Sequence, residues 1–94
     1  MNEQNTISFV VRGPIARPDL PGLYGRFCAL LTAGRPTVAW CRLYEVDADA
    51  VTVDALARLQ LAARRHGCVI RLRGASGDLR DLVAYMGLET VLPD

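Results

Sequence analysis

From Val53 to Leu92 the chain reads as helix, strand and helix run together with almost no slack, and that block constrains the fold most. Leu56, Leu59 and Ala63 recur at intervals of three and four, which is one apolar stripe on a helix that Gly67 ends. Cys68, Ile70 and Leu72 then alternate with Val69, Arg71 and Arg73, the period of a strand with one buried face. Ser76 has the chemistry of an N-cap. Leu79, Leu82, Val83 and Met86 follow at i, i+3, i+4 and i+7 on a closing helix with Gly87 as its cap. The block is dense in packing residues and poor in reactive ones, which points to a protein that touches a partner rather than one that transforms a substrate.

The remaining elements complete the same rhythm. Ile7, Phe9 and Val11 alternate with Ser8, Val10 and Arg12 in a first strand stopped by Gly13-Pro14. Residues 14–22, with three prolines, read as a rigid connection. Asp19 suits the cap of a first helix whose buried face is Leu23, Phe27, Leu30 and Leu31, closed by Gly34 and Pro36. Thr37 to Leu43 form a second strand, and Tyr44 to Asp49 the loop into the central helix. The predicted fold is one α/β domain over residues 1–94 in β-α-β-α-β-α order. Its small, mixed and at least partly parallel sheet carries helices mainly on one face. Alternating strands leave the other face to Arg12, Trp40, Arg42, Arg71 and Arg73. An Arg stacked on exposed Trp40 is worth ~0.5–1 kcal/mol. Trp40, Arg42, Arg71 and Arg73 are also residue types favoured at interfaces, and they make this face a second candidate contact surface.

Composition narrows the function. A hydrophobic share of 51% over 94 residues is ample for one core, and no apolar run is long enough to span a bilayer. Met1 to Thr6 lack the features of a signal peptide, and three cysteines in apolar elements predict reduced core thiols, so a cytoplasmic location is expected. All eleven basic residues are Arg, which we read as the codon usage of a GC-rich bacterial genome. Near-neutral charge (+1) and a single outward aromatic argue against nucleic acid as a partner. His66 is the only histidine and sits where it complements a helix C-terminus. Neither Ser8 nor Ser76 has a visible base, and no cysteine pair has metal-ligand spacing, so no catalytic residue, metal or cofactor is predicted. Glu45, Asp47 and Asp49 lack the glycine and terminal glutamate of a calcium loop, and Gly74-Ala75-Ser76-Gly77 is too short for a P-loop.

The run from Val46 to Leu92 resembles a STAS domain, the module of anti-sigma factor antagonists and sulfate transporter tails. The resemblance rests on "DALARLQLAARR", the strand through Val69-Ile70-Arg71-Leu72, and a closing Leu79-Arg80-Asp81-Leu82 helix ending in Met86-Gly87-Leu88. The N-terminal strand, its Gly-Pro-Ile turn and the "LPGLYGRFCALLTAG" helix fit more loosely. The resemblance implies a sheet of four or five strands with helices mainly on one face, and a non-catalytic regulatory role. Its partner would be an anti-sigma factor of the serine-kinase type. The alternative within the family is an accessory subunit bracing the ATPase of an ABC-type lipid transporter.

Phosphorylatable members carry an Asp-Ser-Ser-Gly-like motif where the central helix begins. This chain has Thr52-Val53-Asp54-Ala55-Leu56 there, so Ala55 stands at the acceptor position and cannot take a phosphate. Thr52 is the one nearby hydroxyl and the only candidate for modification, although a first-turn or buried-face Thr explains it without one. The expected partner contacts are the loop from Val46 to Ala50 and Thr52, Asp54, Ala55, Arg58 and Leu61. Direct membrane insertion is not expected, and outward Trp40 with open sheet edges leaves room for a homodimer.

Overall fold

The computed structural model describes residues 5–85 and 91–93. Strand β1 (Thr6–Arg12) leads through a 3-10 turn (Arg17–Asp19) into helix α1 (Leu20–Gly34) and strand β2 (Val38–Tyr44). Helix α2 (Ala50–Arg65), strand β3 (Val69–Arg73), helix α3 (Gly77–Tyr85) and strand β4 (Val91–Pro93) follow. The strands lie in the order β1-β2-β3-β4, and each neighbouring pair is parallel. A parallel neighbour is reached through a helical crossover, and such crossovers are right-handed. Moving always to the next strand in the same direction therefore puts every described helix on one face. The α/β class, the element order and the one-sided helices are as expected. The described sheet is parallel throughout rather than mixed, because β1 to β2 and β2 to β3 are each joined by a helical crossover and β4 adds to β3 in the same direction. Strand β4 is an addition to the predicted elements, since three residues ending in Pro offer no alternation to detect.

Local chemistry sets the boundaries. Asp49 caps α2 with its carboxylate, which accepts the Thr52 backbone N–H at 2.9 Å, so the helix starts at Ala50. Ser76 caps α3 in the predicted manner, its Oγ accepting the Leu79 N–H at 3.1 Å. Asp19 does not cap α1. Its carboxylate turns back to accept the Ala16 N–H at 2.9 Å and closes the 3-10 turn instead. Helix α2 ends as Gly67 takes φ +67°, and His66 Nδ1–H donates to the Ala62 carbonyl at 3.0 Å. The predicted roles of Met86 and Gly87 in closing α3 lie outside the described residues.

The core is one layer between sheet and helices. Phe9, Val11, Ala39, Cys41, Leu43, Ile70 and Leu72 supply the sheet side. Leu23, Phe27, Leu31, Leu56, Leu59, Leu79 and Val83 supply the helical side. Phe9 and Phe27 meet with ring centroids 5.2 Å apart and tilted 54°, a favourable aromatic arrangement across the layer. Leu30, expected inside, is exposed at the rim, because the helix stripe is completed by Leu20. Each fully buried Leu contributes about 1.5–3 kcal/mol relative to exposure. The opposite face of β1, β2 and β3 carries no covering element among the described residues.

Candidate functional site

Two surfaces stand out, and they lie on opposite layers. The first is the outer side of α2. Ala50, Val53, Asp54 and Ala57 recur at helical spacing and, with Leu82 of α3, line an open groove of about 370 Å³. One turn beyond Ala57 stands Leu61, 54% exposed. Asp54 marks the charged rim: its carboxylate accepts from Arg17 Nη1 at 2.9 Å and from Arg58 Nε at 3.1 Å. The Arg58 guanidinium first, and Arg17 second, hold the Asp54 carboxyl below its usual range. Exposed pairs of this kind add little to stability, but here they tie the 3-10 turn to α2 and orient the rim.

The expected contact residues divide at this point. Asp54, Arg58 and Leu61 come together on the solvent side of α2, as their spacing implied. Thr52 and Ala55 do not join them. They are only 1% and 2% exposed and belong to the core, so the surface they were expected to offer does not exist. The reason is helical spacing: α2 starts at Ala50, so Thr52 and Ala55 lie one turn before Leu56 and Leu59 and share their buried side. Thr52 Oγ makes no hydrogen bond of acceptable geometry among the described residues. The Asp49 carboxyl is held below its ordinary value by the Thr52 backbone N–H, with the nearby Thr52 hydroxyl adding to the effect. Ala50, Ala57 and Leu82, together with the largely buried Val53, were missed as groove residues. The signal for them was a second line of apolar positions beside the Asp54/Arg58 face.

The second surface is the open face of the sheet. Trp40 lies half-buried at its centre, with Arg73 4.5 Å and Arg71 5.8 Å from the ring centroid. Arg42 stands opposite Arg73 in the β2–β3 register. Ser8, Trp40, Arg42 and Arg73 line a shallow hollow of about 200 Å³. Tyr44, read from sequence as loop, extends β2 and faces the same way, with Arg12 4.9 Å from its ring centroid. The predicted second-surface residues Trp40, Arg42, Arg71 and Arg73 are thus gathered on one face, and Arg12 and Tyr44 enlarge it.

Burial and then Cys68 push the Cys41 thiol up to about 12, and burial also raises Cys68. Among the described residues no three His, Cys, Asp or Glu side chains gather as a metal ion would require. Among the same residues no helix is long and apolar enough to cross a membrane. No protein-family model, curated protein or solved structure gives a significant match to this chain.

Proposed function

We propose that the protein is a non-catalytic, cytosolic binding module that docks a regulatory protein on the outer side of α2, in the manner of an anti-sigma factor antagonist. The observation that supports this reading is the apolar groove of Ala50, Val53, Ala57 and Leu82, flanked by the Asp54–Arg58 pair and extended by exposed Leu61. An apolar strip with a charged rim is the anatomy of a protein contact: the strip supplies burial, and the rim selects orientation. The groove has no nucleophile and base held in reach of each other, and it is built on a capped helix whose inner side is core. It therefore presents a preformed surface rather than a reaction centre.

The contact set is Asp54, Arg58 and Leu61 with the groove residues. Thr52 and Ala55 support it from inside. Modification of Thr52 would require α2 to open, so binding is governed by partner availability. The test is purification of tagged protein from its native cytoplasm, comparing wild type with Leu61→Ala/Arg58→Ala and Ala57→Arg. A regulatory kinase-like protein retained by wild type and lost by both variants is the expected result. An ABC-type ATPase retained in its place would move the protein to the transporter-accessory role through the same helix. A partner retained equally by all three proteins would refute α2 as the docking surface.

A further inference from the structure

We propose that the open face of the sheet is a second binding surface and that its ligand is single-stranded nucleic acid. Parallel sheets are ordinarily covered on both faces, because helical crossovers supply the covering layers. Here the described helices occupy one face only, and the other exposes strand positions that alternate with the core.

The content of that face is selective. Its outward positions on β1, β2 and β3 are Thr6, Ser8, Val10, Arg12, then Val38, Trp40, Arg42, Tyr44, then Val69, Arg71 and Arg73. Four are Arg and none is acidic; Glu45, Asp47 and Asp49 lie in the loop after β2, and Asp54, Asp78 and Asp81 share the α-helices with Arg26, Arg58, Arg64, Arg65 and Arg80. The basic character is local to this face, within a chain whose net charge is only +1. The register gathers these groups: Trp40 lies beside Arg71 at the centre of the face, and Arg42 beside Arg73 and Arg12 beside Tyr44 lie toward the C-terminal ends of the strands.

Three occupants compete for such a face, and the observations separate them. A second copy placed face to face would set four guanidinium groups against four, a like-charge juxtaposition that disfavours association. A compact small-molecule site needs a larger and more enclosed cavity than the shallow hollow of about 200 Å³ beside Trp40. A single strand needs flat aromatic platforms for bases and cations for its backbone. Trp40 and Tyr44 are two such platforms on one strand, about 13 Å apart at ~3.3 Å per residue. Each has Arg beside it, with guanidinium carbons 4.5 and 5.8 Å from the Trp40 centroid and 4.9 Å from that of Tyr44. The exposed guanidinium groups of Arg12 and Arg71, stacked on these rings, have edge N–H groups of the kind that bind a phosphate bidentately.

Trp40 is the only tryptophan in the chain, so its fluorescence reports this face directly. The experiment is titration of the full chain with a thymidine dodecamer at several salt concentrations. Saturable change of Trp40 emission is expected, with a Kd of about 10⁻⁶–10⁻⁴ M near physiological salt. Three to four phosphate contacts give a slope of log K against log salt of about −2 to −3. Arg42→Ala/Arg71→Ala should flatten that slope by roughly 1.4. Tyr44→Ala should weaken binding by about tenfold, with an unchanged thermal midpoint as the control for folding. Unchanged fluorescence at strand concentrations well above this range would overturn the proposal. Equal or stronger response to a DNA duplex would also overturn it, in favour of plain phosphate attraction. Equal or stronger response to polyglutamate would replace it with an acidic protein segment.

Discussion

Thr52→Val is the substitution that most directly tests how α2 is seated. Thr52 is 1% exposed and its hydroxyl is left without a hydrogen bond among the described residues. A buried, unsatisfied hydroxyl costs about 1–3 kcal/mol. Valine has the same branched shape and removes the polar atom without leaving a cavity. The neighbouring Asp49 carboxylate already recovers part of the penalty, so the gain belongs at the low end, about 1 kcal/mol. In a domain of this size that raises the thermal midpoint by about 4–8 °C. Thr52→Ser keeps the orphan hydroxyl and deletes a buried methyl, and should destabilise by about 1 kcal/mol. Paired thermal and urea unfolding of the three proteins reads both effects. Destabilisation by Thr52→Val would refute the reasoning, because it would mean that the hydroxyl donates a bond in the folded protein. The same variant bears on function: partner binding should survive it, since the hydroxyl lies beneath the docking surface.

Gly74 takes φ +85°, and a Cβ there would stand 2.6 Å from the Leu43 carbonyl oxygen, so Gly74→Ala should destabilise by about 1–3 kcal/mol in urea unfolding, against no loss for Gly25→Ala. Thiol labelling of the native protein near pH 8 should modify half-buried Cys28 first and leave Cys41, raised to about 12, unreacted until unfolding. Asp49 and Asp54 have folded pKa values below their ordinary 3.8, so the stability they contribute is present above that value and is lost as pH falls through the folded one. Acid titration of unfolding should therefore steepen below about pH 4, and Asp54→Asn should flatten part of that slope.

The sequence by itself determined the alternation of three strands and three helices, the one-sided packing and the inward set of each strand. Those features follow from local periodicity: Phe9 and Val11, or Ile70 and Leu72, have no other way to face one core. It also determined that Asp54, Arg58 and Leu61 share a helix face, because i, i+4 and i+7 positions are neighbours wherever the helix sits. The Leu56/Leu59/Ala63 stripe also marked the inner side of α2. Thr52 and Ala55, one turn before Leu56 and Leu59, share that side, and only tertiary structure showed that packing covers the first turns of α2 and leaves them 1% and 2% exposed. The α2–α3 groove required the two helices to be set side by side, and no spacing within either could announce it. The charged face had the same history. Sequence placed arginines on separate strands, but only parallel register set Arg42 beside Arg73 and Arg71 beside Trp40. Only the extension of β2 through Tyr44 brought a second aromatic to Arg12. Side-chain period is local, whereas register and helix rotation are set by burial across the whole layer, and both candidate surfaces depend on the latter.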